Sequence, residues 1–257
     1  MAQRSSAWVA RAIASMKVRA MALDAWRVVE SQSLTATLKL VDSDAEQALL
    51  EQLVDRVKPP LPEGGAFRGL HYLLATPFRH PPLRWGSRFG TRAERGIWYG
   101  SKDLATCFAE VAYYRLLFLE GTAAPIAPIT VELASFAAVV EAKRGVDLTR
   151  PPFAEHAAEL ASPVSYETTH AVGAALRAAG VEALLFVSAR ARARGINVAL
   201  FEPAFGRRAP KKLEPWICTT DRAKVEISQK TFSRTRRRWA FPRSDFELGG
   251  RLPAPSD

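Results

Sequence analysis

The sequence predicts an α+β domain, and three observations carry that prediction. Apolar, β-branched runs of strand length recur at Ile129–Leu133, Phe136–Glu141, Val181–Val187 and Ile196–Phe201. Runs with helical spacing lie among them, chiefly the stretch after Asp103 and Tyr166–Ala179. The two kinds of run mix without the regular alternation that builds a doubly wound parallel sheet.

Taken in order, residues 1–27 carry Arg4, Arg11, Lys17, Arg19 and Arg27 against one acid, Asp24, and read as a floppy basic leader. Charges interrupt its apolar runs, so the h-region of a secretory signal is missing. Met16 and Met21 offer alternative starts to Met1. Ser43-Asp44-Ala45-Glu46 reads as a capping box opening a helix that Pro59-Pro60 ends. Pro59–Gly65 is a linker into the main domain. Phe67–Leu74 reads as a strand, Thr76–Arg84 as a loop and Ile97–Gly100 as a short strand. Ser101 or Asp103 caps a helix running to about Leu119 and stopped by Gly121. Helices are expected at Phe153–Leu160 and Tyr166–Ala179, the second with Gly180 as its C′ residue. Trp216–Thr219 and Ala223–Ile227 read as further strands, and the tail from Thr231 as basic, Pro-rich and frayed. The expected division is 1–64, leader plus helical extension; 65–230, main domain; 231–257, tail.

Composition narrows the function. The 257 residues are 48% hydrophobic and 24% charged, ordinary for a globular protein. No apolar run approaches the length of a membrane span, so no membrane role is expected, and a cytoplasmic protein is the default. Two cysteines without a CxxC, and four histidines without metal-ligand spacing, argue against a zinc site or a disulfide framework. The net charge of +10 favours anionic partners: nucleic acid, acidic protein or phosphorylated small molecules.

On the helix after Asp103, one face holds Asp103, Cys107, Glu110, Tyr114 and Leu117. Glu110 thus stands among apolar and aromatic neighbours, where a carboxylate needs partners. Taken alone it reads as a salt-bridged helix-edge residue. Arg68 in an apolar run and Arg88 beside Phe89 shift the balance, and with Tyr99 and Ser188 they can converge on one cleft. Such a set suits a phosphate-bearing ribosyl substrate. Arginine forks match phosphate oxygens, and a carboxylate stabilises the positive charge that develops at C1 during glycosyl transfer. A nicotinamide leaving group departs neutral and needs no acid, so one carboxylate suffices. No GxSxG elbow accompanies Ser188, which argues against a serine hydrolase.

Phe67-Arg68, Gly86-Ser87-Arg88-Phe89, Ile97-Trp98-Tyr99, Ala109-Glu110-Val111 and Phe186-Val187-Ser188-Ala189-Arg190 with Asn197–Phe201 together resemble the RES domain, over roughly residues 65–203. The chain has Arg88-Phe89-Gly90 where the family usually has Asn third, and Phe186-Val187-Ser188 where it often has Tyr-Pro-Ser. The resemblance implies an ADP-ribosyltransferase-like mixed sheet flanked by helices. It also implies the toxin of a bacterial toxin–antitoxin pair that consumes NAD+ by hydrolysis or phosphorolysis, or that transfers ADP-ribose to a protein. NAD+ is then substrate, with no other cofactor and no metal. The implied partner is an Xre-type antitoxin, DNA being met only through it, and the arrangement admits a homodimer within a heteromeric complex. By the same resemblance Glu110 is the essential acid, Arg68 and Arg88 hold the substrate, Tyr99 packs on the nicotinamide end and Ser188 lies at the ribose or nicotinamide.

A competing class is a non-catalytic basic module that binds nucleic acid or a partner. Arg207-Arg208, Lys211-Lys212 and Arg236-Arg237-Arg238, with Phe205, Trp216, Phe232 and Trp239 nearby, are its candidate surface. A solvated basic face explains the same clusters, and no helix-turn-helix or RNA-binding signature accompanies them.

Overall fold

The computed structural model describes residues 2–31, 43, 45–46, 49–50, 53, 58–80, 82, 84–124, 126–231, 233 and 235–254. Most of the helix expected before Pro59, and Phe232, lie outside the described residues. At its start, Glu46 N donates to Ser43 Oγ at 3.3 Å.

Eight strands form one mixed sheet in the order β1-β2-β5-β4-β3-β6-β7-β8. They are β1 (Arg19–Glu30), β2 (Trp98–Ser101), β3 (Ile129–Asp147), β4 (Ala183–Val187), β5 (Ile196–Leu200), β6 (Lys211–Thr220), β7 (Lys224–Gln229) and β8 (Arg238–Pro242). Among the described residues, only the β3–β4 pair is parallel. β1 also pairs along β3, so β1, β3, β4, β5 and β2 close a circuit of pairings, and β6–β8 extend from the other edge of β3. Among the described residues, the α-helices whose full ranges are defined are α1 (Ala2–Ser15), α2 (Tyr72–Arg79), α3 (Leu104–Glu120), α4 (Ala157–Leu160) and α5 (Glu167–Ala178). The architecture is α+β, as the sequence predicts, and none of the helices among the described residues is long and apolar enough to cross a membrane.

Three apolar clusters hold the helices on the sheet. α1 and α5 share one with β4 and β5, through Trp8, Val9, Val172, Leu176, Leu184 and Ala199. α2 covers β1, β3 and β5 through Leu74, Phe78, Ala25, Phe136 and Val198. α3 packs Phe108, Ala112 and Leu116 on Trp216, Val225 and Ile227 of β6 and β7. Trp98 is fully buried, Met16 packs partly buried on the first cluster and Trp85 is exposed.

The structure corrects several expectations. The supposed floppy leader is α1 and β1. Trp8, Val9 and Ala12 are buried, and β1 pairs with β3 from Arg19↔Gly145 to Glu30↔Leu133. Ladder hydrogen bonds and a packed face override the helix-like composition of the β1 sequence. Phe67–Leu74 is not a strand: Gly69 adopts φ +68 in a turn, and α2 begins at Tyr72, where His71 Nδ1 accepts from Leu73 N at 3.2 Å. Leu74, Ala75 and Phe78 then bury one helical face, extending helix into the segment read as a loop. The two strands expected between 129 and 141 are one, bent at a register shift between Ser135 and Ala137. The tail is not wholly frayed, because β8 pairs with β7 and Leu252 is buried. Other elements fall as expected. Asp103 caps α3. Gly180, at φ +69, ends α5, with its N donating to Arg177 O at 2.9 Å and Val181 N to Leu176 O at 3.0 Å.

Candidate active site

Glu110 is placed by the register of three elements. The Asp103 carboxylate accepts from Thr106 N and Thr106 Oγ1, each at 2.8 Å, and starts α3. The apolar stripe of α3 then turns Glu110 to the helix edge, toward the ends of β4 and β5. Ser188 follows the last residue of β4, and its N donates to Gly195 O at 2.8 Å, closing the loop between them. A Cβ on Gly195 would fall 1.8 Å from Thr106 Oγ1, so only glycine lets this loop rest on the first turn of α3. Asn197 on β5 stands opposite Ser101 on β2, and side chains so paired share a sheet face.

These placements converge on one carboxylate oxygen. Ser188 Oγ donates to Glu110 Oε1 at 2.6 Å, and Asn197 Nδ2 donates to the same atom at 2.7 Å. Ser188 Oγ also accepts from Arg190 N at 3.1 Å and Ala191 N at 2.9 Å, which uses all the hydrogen-bonding capacity of a hydroxyl. Ser101 Oγ donates to Asn197 Oδ1 at 2.6 Å. Ser101, Ser188 and Asn197 are buried, whereas Glu110 is partly exposed. Among the described residues, Glu110 Oε2 accepts no hydrogen bond.

Arginines and tyrosines surround this centre. The buried Arg190 guanidinium lies 3.5 Å from the Tyr113 ring centroid and donates to Pro163 O at 3.1 Å. Arg88 Nη1 donates to Leu160 O at 3.1 Å and Ser162 O at 3.0 Å, and its guanidinium lies 5.0 Å from the Tyr166 ring centroid. The Tyr166 and Tyr114 hydroxyls are 3.4 Å apart. Burial raises the pKa of Tyr113, and Arg190, Tyr166, Glu110 and Arg88 all lie within electrostatic reach of its phenol. The Tyr99 hydroxyl donates to Ser87 Oγ at 3.0 Å and accepts from Phe89 N at 3.1 Å. Burial pushes the Tyr99 phenol up to about 12, against the opposing effect of the Ser87 bond.

Of the residues singled out in the sequence, Glu110 and Ser188 are in direct contact, and Arg88 and Tyr99 belong to the surrounding shell. Arg68 does not join them. It is exposed in the turn before α2, and among the described residues its side chain makes no hydrogen bond or ion pair. The contacts of Ser101 and Asn197, and the stacking of Arg190 on Tyr113, are not visible along the chain. The β2–β5 register is the signal that reveals the first pair. Among the described residues no three His, Cys, Asp or Glu side chains cluster to hold a metal ion. A cavity of about 340 Å³ opens beside this centre, between the start of α3, the 190–195 loop and Phe241–Phe246.

A mixed-sheet α+β domain with one carboxylate anchored at the strand ends is thus the class that fold and geometry define. The sequence model of the RES domain matches residues 64–221, and the chain belongs to that family. No curated protein sequence matches it. Among solved structures, the crystal structure of the M. tuberculosis MbcT–MbcA toxin–antitoxin complex is similar at 13% identity and a TM-score of 0.44, over 75% of this chain and 81% of that one.

Proposed function

We propose that this protein is the toxin of a bacterial toxin–antitoxin pair and cleaves the bond between nicotinamide and ribose in NAD+. The observation that carries the reading is the two-sided state of Glu110, with Oε1 held by Ser188 and Asn197 and Oε2 open. A fixed carboxylate facing the ribose stabilises the oxocarbenium character that develops at C1′ as the C1′–N bond breaks. Nicotinamide takes the bond electrons and leaves neutral. Water or phosphate then bonds to C1′, giving ADP-ribose or its phosphate ester and, in either case, one released proton.

Arg68, exposed and unpartnered among the described residues, is available to the pyrophosphate, and the net charge of +10 draws the anionic substrate in. Arg88 ties the 160–162 backbone to the Tyr166 ring, and the Tyr99 hydroxyl bonds the residues on either side of Arg88, Ser87 and Phe89. RES membership supports the toxin assignment and, with it, an Xre-type antitoxin as partner and the cytoplasm as the site of action. The basic cluster of the tail is already committed. Arg237 bonds Glu214, Arg238 bonds Glu226, and Arg236 bonds Ser228 Oγ and Gln229 O, which disfavours a dedicated nucleic-acid surface.

The test is nicotinamide release from NAD+ by purified protein, with and without phosphate, beside Glu110→Gln. Release that requires Glu110 is expected, and its phosphate dependence separates phosphorolysis from hydrolysis. Wild-type release that persists in Glu110→Gln overturns the mechanism. No release from NAD+ alone in either buffer, but nicotinamide release together with transfer of ADP-ribose label once candidate protein acceptors are added, would instead establish a transferase.

A further inference from the structure

We infer that Ser101 and Asn197 are positioning residues that set which oxygen of Glu110 meets the substrate. The inference deepens the proposed NAD+ cleavage and rests on that reading for its catalytic consequence. An asparagine side chain presents a donor at one end and an acceptor at the other, and nothing in its shape decides which faces the carboxylate. The carboxylate, which only accepts, selects Nδ2, and a hydroxyl behind the amide holds that choice. Ser101 Oγ lies 2.6 Å from Asn197 Oδ1 and donates to it, which keeps Nδ2 on Glu110 Oε1 at 2.7 Å. The reversed amide would set oxygen against a carboxylate oxygen at hydrogen-bond distance, a repulsive contact.

The relay is built into the sheet. Ser101 and Asn197 are register partners in the β2–β5 ladder, and Asn197 is also the partner of Phe186 on β4, so its backbone is held on both sides. Both residues are buried, where a misdirected polar group is costly. Ser188 alone fixes Oε1 by one bond, about which the carboxylate can still swing. The second bond, from Asn197, removes that freedom and leaves Oε2 of the partly exposed Glu110 without a hydrogen bond among the described residues. Preorganisation of this kind acts on the reacting geometry rather than on substrate affinity.

The experiment compares Ser101→Ala, Asn197→Ala, Asn197→Asp and the Ser101→Ala/Asn197→Ala pair in the full chain. For Asn197→Ala the expected result is a fall in kcat of up to about 10²-fold with KM for NAD+ unchanged. Asn197→Asp keeps the shape, replaces the donor by an acceptor and is expected to fall at least as far. The double variant should be no worse than Asn197→Ala in kcat, because the path from Ser101 to Glu110 runs through that amide, apart from its contact with Cys107. Infrared difference spectra against Glu110→Gln isolate the Glu110 carboxylate stretches, which should shift in Asn197→Ala and, more weakly, in Ser101→Ala. A wild-type kcat in Asn197→Ala, additive losses, or unmoved carboxylate bands would overturn the inference. If the wild type releases no nicotinamide, the proposed function fails, and the carboxylate bands alone still decide whether the relay exists.

Discussion

Ser188 and Glu110, 78 residues apart in sequence, share a hydrogen bond of 2.6 Å in which the hydroxyl donates to Oε1. The same hydroxyl accepts from two backbone N–H groups of the loop that follows it. Ser188 therefore couples the shape of the 189–195 loop to the orientation of the carboxylate. In this arrangement it supports Glu110 and has no hydrogen-bonding capacity left for a ligand.

Ser188→Ala tests that coupling. Two backbone N–H groups lose their acceptor, which costs about 1–3 kcal/mol if they stay buried. We expect a lower urea midpoint together with a fall in kcat for nicotinamide release. A variant with a lower midpoint and unchanged kcat would show that Asn197 alone suffices to hold Glu110.

Arg88→Lys separates two uses of a cation. The guanidinium binds two carbonyls while lying against Tyr166, and an ammonium cannot do both in one plane. The expected loss is about 1–3 kcal/mol of stability, read as a lower urea midpoint. An unchanged midpoint with a raised KM for NAD+ would assign Arg88 to the substrate instead of the fold.

Alkaline pH should destabilise the fold from about pH 9 upward. Burial raises Cys107 from 9.0 to about 12, with the Ser101 bond opposing, and raises Tyr99 from 10.0 to about 12. Both groups are neutral in the folded chain at pH values where the unfolded chain has lost their protons. The unfolded state then binds fewer protons, so stability falls as pH rises. The contribution is complete below pH 9 and is lost progressively up to about pH 12. Thermal midpoints measured across pH 8–11 should decline, and Cys107→Ala should flatten the early part of the decline. The native Cys107 thiol should also resist alkylation at pH 8 and react once urea unfolds the chain.

Trp8→Ala tests whether the first helix is part of the fold. Trp8 stacks on His156 at 3.7 Å and donates from Nε1 to Glu159 Oε2 at 3.2 Å. Removing a buried tryptophan side chain costs about 3–5 kcal/mol. The thermal midpoint should fall by several degrees, and a chain begun at Met16 should fall further. Equal midpoints for the full chain and the truncated one would make α1 dispensable.

The site was legible in the sequence where chemistry and local structure coincide. Asp103 is a good N-cap, so the start of α3 and the edge position of Glu110 follow from neighbouring residues. Ser188 stands where an apolar strand ends, and its place beside a loop is likewise local. The roles of Ser101 and Asn197 were not legible, because their meeting depends on the β2–β5 register, which no short window of sequence contains. Arg68 and Arg88 look alike along the chain, one beside Phe67 and the other beside Phe89. Only packing leaves the first exposed and gives the second two carbonyls and a ring.

By itself, then, the sequence determined the α+β class, an N-cap for α3 at Ser101 or Asp103, the C′ glycine of α5, and Glu110 and Ser188 as candidates for the centre, since each depends on contacts within a few residues. The tertiary structure alone decided that α1 and β1 belong to the core and that β3 is one bent strand. It alone decided that Glu110 has a held oxygen and an open one. Those outcomes rest on pairings between distant segments, where burial and ladder hydrogen bonds outweigh the local propensities that a sequence displays.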